Sequence, residues 1–174
     1  MNKIPHTNKH NKGFSIFETV VYIAMLTVLT VVVMSSLMGL FKSYSVIKVQ
    51  QDIELSAIQI MDKLTRDIRE TTGVVVGQSS FGVPQGALAL NVTETSGTDV
   101  YSYYSASSTL KVSKNGVYLG DLSQPGVLVN SFTLYQIVGT TTKAIRVELN
   151  LQAYPRYGLN PVNKSFYTTV QQRN

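Results

Sequence analysis

The sequence predicts an α+β fold: one long amino-terminal helix packed on an antiparallel β-sheet domain. Three observations predict it. Residues 14–41 are almost wholly apolar, and a run of roughly 28 such residues is long enough to cross a bilayer core of about 30 Å as a helix. From Val46 onward, apolar side chains recur at spacings of three or four, through Val49, Ile53, Ala57, Ile60, Leu64 and Ile68. That spacing draws one stripe along an amphipathic helix. Beyond Gly73 the pattern changes to short β-rich runs separated by turn residues. The stripe and the apolar faces of the strands each need a partner, and an α+β arrangement gives them one another.

Residues 1–13, MNKIPHTNKHNKG, are polar and basic, and nothing in them can form a core. Lys3, Lys9 and Lys12 precede the apolar run, while Lys42 and Lys48 on its far side are offset by Asp52 and Glu54. That asymmetry favours an amino terminus on the cytoplasmic side of a membrane. An ordinary secretory signal has an apolar core of about 7–15 residues and a small-x-small cleavage site. The run here is about twice that length, and Ser36-Leu37-Met38 is a poor site because methionine is not small. One ionisable group interrupts the run, Glu18, close to its start. A carboxylate costs on the order of 2.5–3.5 kcal/mol at the centre of a membrane helix and less near the interface. Glu18 therefore calls for a compensating interaction.

The helix is expected to run on from Phe14 to Thr72, with Gly73 as its stop. Gly39 is its weakest internal point, since glycine in a helix costs about 1 kcal/mol relative to alanine. Opposite the stripe stand Lys48, Asp52, Asp62, Lys63, Arg66, Asp67 and Glu70, read as a solvated face. On that face Asp62 with Arg66, Lys63 with Asp67, and Arg66 with Glu70 are four apart, a spacing that adds a few tenths of a kcal/mol per pair.

Six or seven strands are expected after the helix. They are to come from eight β-rich runs, residues 74–76, 87–92, 100–104, 109–114, 117–119, 127–138, 143–153 and 165–171. Asn115-Gly116 between two of them is a strong two-residue hairpin signal. In residues 143–153, Ile145, Val147, Leu149 and Leu151 alternate with Arg146, Glu148, Asn150 and Gln152, the pattern of a half-buried antiparallel strand. Tyr101 and Tyr103 share a strand face, and Tyr154 and Tyr157 flank Pro155. Strands favour tyrosine on structural grounds, so these are read as packing before binding. No internal repeat or second globular domain is evident.

The segment GFSIFE, from Gly13 through Glu18, together with the apolar run behind it, resembles the amino terminus of type IV prepilins and type II secretion pseudopilins. The resemblance covers about thirty residues by the order of its glycine, phenylalanine, glutamate and uninterrupted span. It implies a leader of residues 1–13, an assembly and transmembrane helix of 14–41, an amphipathic continuation over 42–72 and a β-rich head of 73–174. It implies cleavage after Gly13 by a prepilin peptidase and N-methylation of the new terminus, Phe14. It further implies a role in filament assembly for Glu18, the fifth residue of the processed chain. Its implied partners are that peptidase, other pilins or pseudopilins, an inner-membrane assembly platform and membrane lipid.

Major pilins often carry a proline about two-thirds along the span and a carboxy-terminal disulfide. Here the span reads Met34-Ser35-Ser36-Leu37, and the chain has no cysteine. Both departures point to a minor subunit. The long helix ending near Asp67-Ile68-Arg69 and the closing TTVQQRN look like pseudopilins of the J kind.

Residue types exclude much chemistry. With no cysteine, and with both histidines, His6 and His10, in the leader, the processed chain holds no Ser-His-Asp triad, Cys-His pair or His/Cys zinc site. No glycine-rich phosphate loop is present. The acids of the β region, Glu94, Asp99, Asp121 and Glu148, are widely spread. No cofactor and no enzymatic activity are expected. The net charge is +5; without the three leader lysines, twelve of the fifteen basic side chains remain against ten acids, a net of +2. Nucleic-acid binding needs clustered Lys and Arg, which this sequence does not show.

Two classes of function remain. The first is a filament subunit of a pilus, a secretion pseudopilus or a DNA-uptake apparatus. In it, Glu18 pairs with the terminal amine either of a neighbour or of its own chain. The second is a single-pass anchored protein whose head binds a surface ligand.

Overall fold

A computed structural model describes residues 15–94, 97–139 and 143–172. Residues 1–14, which hold the leader, Gly13 and Phe14, lie outside the described residues. The first element is a 55-residue helix, α1, Ile16–Glu70. The chain divides into two units, Met1–Phe41 and Lys42–Asn174, and α1 contributes to both.

In the first unit every described side chain is exposed, including Ile16, Phe17, Leu26, Leu29 and Phe41. Its hydroxyl side chains turn inward to the helix backbone. Thr27 Oγ1 donates to the Ile23 carbonyl and Thr30 Oγ1 to that of Leu26, each at 2.8 Å, and Ser36 Oγ donates to Val32 at 2.9 Å. Side chains satisfied in this way suit an apolar medium, which offers no water to bond them. The helix is long and apolar enough to cross a membrane, as a single-pass protein requires. It passes through Gly39 without a break.

In the second unit α1 is followed by eight strands among the described residues. They are β1 Thr71–Val74, β2 Ala87–Glu94, β3 Gly97–Ala106, β4 Thr109–Lys114, β5 Val117–Asp121, β6 Val127–Val138, β7 Lys143–Ala153 and β8 Val162–Gln171. The first five form one antiparallel sheet in sequence order, and the last three form a second. The helical stripe closes over them. Ile53, Ala57, Ile60, Leu64 and Ile68 are buried in one core with Leu88, Leu90, Tyr103 and Leu110 of the first sheet and Phe132, Leu134, Val147 and Leu149 of the second. A buried aliphatic or aromatic side chain of this size contributes about 1.5–3 kcal/mol. In β7, Ile145, Val147, Leu149 and Leu151 are buried, as their alternation predicts.

Two backbone clasps add to this packing. The Gln124 N–H donates to Ser56 Oγ at 3.1 Å, and the Arg156 N–H to Ser45 Oγ at 2.8 Å.

The structure corrects four expectations. The helix ends at Glu70, not Thr72, because Thr71 pairs with Val92 and its hydroxyl donates to the Asn91 carbonyl at 2.8 Å. Sheet pairing takes Thr71, and Thr72 falls in β1 at the register shift that follows it. The strand expected at 74–76 lies earlier, since Val76–Gln78 form a 3-10 turn. Eight strands replace six or seven; the four-residue β1 and five-residue β5 are held by their pairing partners more than by their own composition. Finally, Asp67 is not on the solvated face. It is 5% exposed, covered by Tyr103 from β3. Lys63 still reaches it at 2.8 Å, but among the described residues no ion pair joins Arg66 to Asp62 or Glu70.

Two hairpin turns use left-handed backbone. Asn115 and Gly116 have φ of 51° and 81°, the mirror-image turn that this dipeptide favours. Ser107 and Ser108 do the same between β3 and β4, with φ of 53° and 58° and no glycine. The Ser108 carbonyl accepts the Val129 N–H at 2.8 Å, joining the first sheet to the second.

Candidate functional site

Of the three site residues expected from the sequence, Glu18 alone is described. It sits in the first turn of α1, where a negative charge is favoured by the exposed N–H groups and the helix dipole. Its side chain is exposed, as are those of Ile16, Phe17, Val20 and Val21 around it. The phenol of Tyr22 donates to Glu18 Oε1 at 3.1 Å. Sequence reasoning passed over Tyr22, although its position four residues on is the spacing that brings two helical side chains together.

The arrangement gives Glu18 a neutral donor from its own chain. Among the described residues no cation lies within ion-pair distance of it. A carboxylate in an apolar segment with one hydrogen bond keeps most of its need for a positive partner, because isolated charges are costly away from water. Gly13 and Phe14, the expected cleavage and methylation site, fall outside the described residues.

The head offers other polar groups, and three of its acids, Asp99, Asp121 and Glu148, have partners of their own. Asp99 accepts from Lys114 Nζ at 2.9 Å and from Asn115 Nδ2 at 2.7 Å, and these bonds hold its carboxyl below the usual range. Asp121 accepts from the Tyr118 hydroxyl at 2.8 Å, which pushes that phenol up. Glu148 meets Arg146 at 2.7 Å. Three acids thus engage three different partner sets.

An open cleft of about 750 Å³ lies beyond the carboxy-terminal end of α1, lined by Arg69, Thr72, Thr93, Gln136, Lys143 and Gln172. No cluster of three His, Cys, Asp or Glu placed to hold a metal occurs among the described residues.

Tyr101 and Tyr103 do share a face, and the structure gives them packing roles. Tyr103 is fully buried, and Tyr101 packs against the core with the Lys63 and Lys114 ammonium groups 5.2 and 5.3 Å from its ring centre.

No family model, curated protein or solved structure matches this chain.

Proposed function

We propose that the protein is a filament subunit of the minor pilin or pseudopilin kind, inserted in a membrane as a precursor, cut after Gly13 and assembled through residues 14–41. The observation that carries this reading is the first unit of α1: a continuous apolar helix, exposed all round, with one acid held by a neutral phenol. A membrane anchor needs the apolar surface and has no use for the acid. A bundle of such helices has a use for both. The apolar faces pack together, and Glu18 meets the free amine that cleavage creates on Phe14 of a neighbouring subunit. Opposite charges attract strongly where water is excluded.

In this reading the prepilin peptidase acts first and methylates Phe14 after the cut. The assembly platform then lifts the processed helix out of lipid into the growing fibre, with other pilins or pseudopilins as its neighbours. The head needs no catalytic group. The Lys42–Asn174 unit serves as a folded surface carried outside the cytoplasmic membrane.

The test is Glu18→Ala beside Glu18→Gln in cells holding the rest of the machinery. Both variants should insert and be cleaved normally, and both should be depleted from sheared filaments; equal incorporation would reject the assembly role. Gly13→Leu should leave the leader attached, seen as a heavier, slower-migrating chain with Met1 or its successor at the amino terminus.

The cleft at Arg69 and Lys143 favours a second reading, an anchored protein whose head binds a surface ligand. Replacing residues 14–41 with an unrelated span separates the two, since only the anchored binder tolerates it.

A further inference from the structure

Within the Lys42–Asn174 unit the two sheets have four outer strands, β1 and β5 of the first and β6 and β8 of the second. An outer strand carries a row of unpaired N–H and C=O groups, ready to pair with another chain. Proteins blunt such edges by keeping them short, bulging them, covering them, or adding charge or proline. Three of the four are blunted. β1 has four residues and a register shift between Thr71 and Gly73. β5 has five residues, and its pairing with β4 shifts between Val112 and Ser113. β6 is covered by the 80–86 loop. The Phe132 N–H donates to the Pro84 carbonyl and the Gly86 N–H to that of Phe132, each at 2.7 Å, and the Gly82 N–H donates to Leu134 at 2.8 Å.

β8 has none of these guards. It runs for ten residues, VNKSFYTTVQ, without proline, glycine or a break in its register against β7. Its one charged side chain, Lys164, is taken up by Glu54 of α1 at 2.5 Å. Among the described residues only β7 forms backbone hydrogen bonds with it.

The ladder shows which groups are free. The Gln172 N–H donates at 2.9 Å to the carbonyl of Lys143, which stands directly opposite. Pairs in an antiparallel ladder alternate between bonded and non-bonded. Counting back along the unbroken register, Val170, Thr168, Phe166, Lys164 and Val162 bond to β7. Gln171, Thr169, Tyr167, Ser165 and Asn163 therefore turn their N–H and C=O groups to the open side. The side chains of the same five residues are exposed, Tyr167 at 64%.

This pattern is symmetric about Tyr167, so the edge is complementary to itself. Consider a second β8 laid antiparallel on the first, with a two-fold axis at Tyr167. Asn163 then faces Gln171, Ser165 faces Thr169, and Tyr167 faces its own copy, and every free N–H and C=O of both strands has a partner. No like charges meet. The two Lys164 side chains stand three residues to either side of the axis, about 20 Å apart and beyond a screening length of about 8 Å. The two Tyr167 rings form a cross-strand aromatic pair, and the part-buried Phe166 gains a diagonal neighbour in its copy.

We propose that β8 is a contact between two copies of this chain, fusing the β6-β7-β8 sheet of each into one continuous sheet across a two-fold axis at Tyr167. Such a contact closes on itself and stops at two copies. One strand edge is a small interface, so the pairing is reversible. It draws on the Lys42–Asn174 unit alone and is independent of the filament reading.

The register supplies the test, made on the full chain in detergent. In Ser165→Glu with Thr169→Glu, acid faces acid at two places across the axis. In Ser165→Lys with Thr169→Glu, a base faces an acid at the same two places. Within one strand the two positions are about 14 Å apart, so a single chain does not satisfy them by itself. Sedimentation over a range of concentrations should show a reversible dimer for the parent and for the variant of opposite charges. The variant of like charges should associate about tenfold more weakly. Equal association of the two variants would overturn the proposal. A parent chain that stays monomeric would overturn self-pairing and leave the edge to a strand of another protein.

The chain has no cysteine, so introduced thiols report single positions. Tyr167→Cys, on the axis, should give a disulfide-linked pair under mild oxidation. Bonded partners in an antiparallel ladder have Cα atoms about 5.5 Å apart, within a disulfide's reach. Asn163→Cys lies four residues from the axis, which sets its two thiols about 27 Å apart, and it should remain unlinked. Equal linkage at both positions would mean random collision and overturn the contact.

Discussion

The Tyr103 hydroxyl donates to the Asp67 carboxylate, and this one bond ties the middle strand of the five-stranded sheet to the last turns of α1. Both residues are buried, and Lys63 closes the group with an ion pair at 2.8 Å. Tyr103→Phe removes the donor and leaves the carboxylate with fewer partners in a dry setting. A buried acceptor deprived of its hydrogen bond costs about 1–3 kcal/mol. The unfolding free energy from a urea titration of the detergent-solubilised chain should fall by that amount.

The same pair sets an alkaline limit. Burial first, then the hydrogen bond and charge of Asp67, push the Tyr103 phenol far above its ordinary value. A phenol raised on folding supports the fold fully below its unfolded pKa of about 10, and the support is lost as pH climbs past that value, because the unfolded chain then releases a proton that the folded chain keeps. Unfolding midpoints of the parent chain should therefore drop more steeply above about pH 10 than those of Tyr103→Phe. Parallel slopes would place the alkaline loss elsewhere.

Among the described glycines compared, Gly86 is the one where a methyl group has least room. A Cβ there would stand 2.8 Å from the Phe132 carbonyl oxygen and 3.1 Å from that of Ser80, and the Gly86 N–H already bonds Phe132 at 2.7 Å. Backbone oxygens cannot swing aside, so Gly86→Ala must push the 80–86 loop off β6. Overpacking of this kind costs about 1–3 kcal/mol. Gly77→Ala, where nothing lies within 4 Å, is the control and should leave the thermal midpoint almost unchanged.

Acid acts on the hairpin of β3 and β4. Lys114 first, then Asn115, hold the Asp99 carboxyl below its ordinary value. A lowered carboxylate supports the fold above its unfolded pKa of about 3.9 and stops doing so as pH falls through the folded value. Amide exchange in the hairpin should be faster in Asp99→Asn than in the parent at neutral pH. The difference should close in acid, once the folded-state carboxyl is itself protonated. The effect is small, since this is a surface pair.

Much of this was legible from side-chain period. Ile53, Ala57, Ile60, Leu64 and Ile68 are buried where their three- and four-residue spacing puts them, and β4, β6 and β7 begin and end where their runs do. What escaped depends on partners distant in sequence. Asp67 reads as surface because its lysine partner is four residues away, while the tyrosine that buries it comes from 36 residues further on. Thr71 reads as helix until Val92 is there to pair with it. Serine has no marked preference for left-handed backbone, so the Ser107-Ser108 turn gives no sign in sequence, unlike Asn115-Gly116. In the candidate site, the isolation of Glu18 among apolar residues was evident and the Tyr22 phenol was not.

The Ser107-Ser108 turn has a consequence for how the head can change over evolutionary time. Its carbonyl grips Val129 across the seam between the two sheets, main chain to main chain. Such a stitch is indifferent to the side chain that carries it, so long as the residue tolerates the backbone angle. Homologues can repaint the outer surfaces of both sheets to suit new neighbours while the seam stays sewn, and glycine at either serine would loosen nothing but the strain.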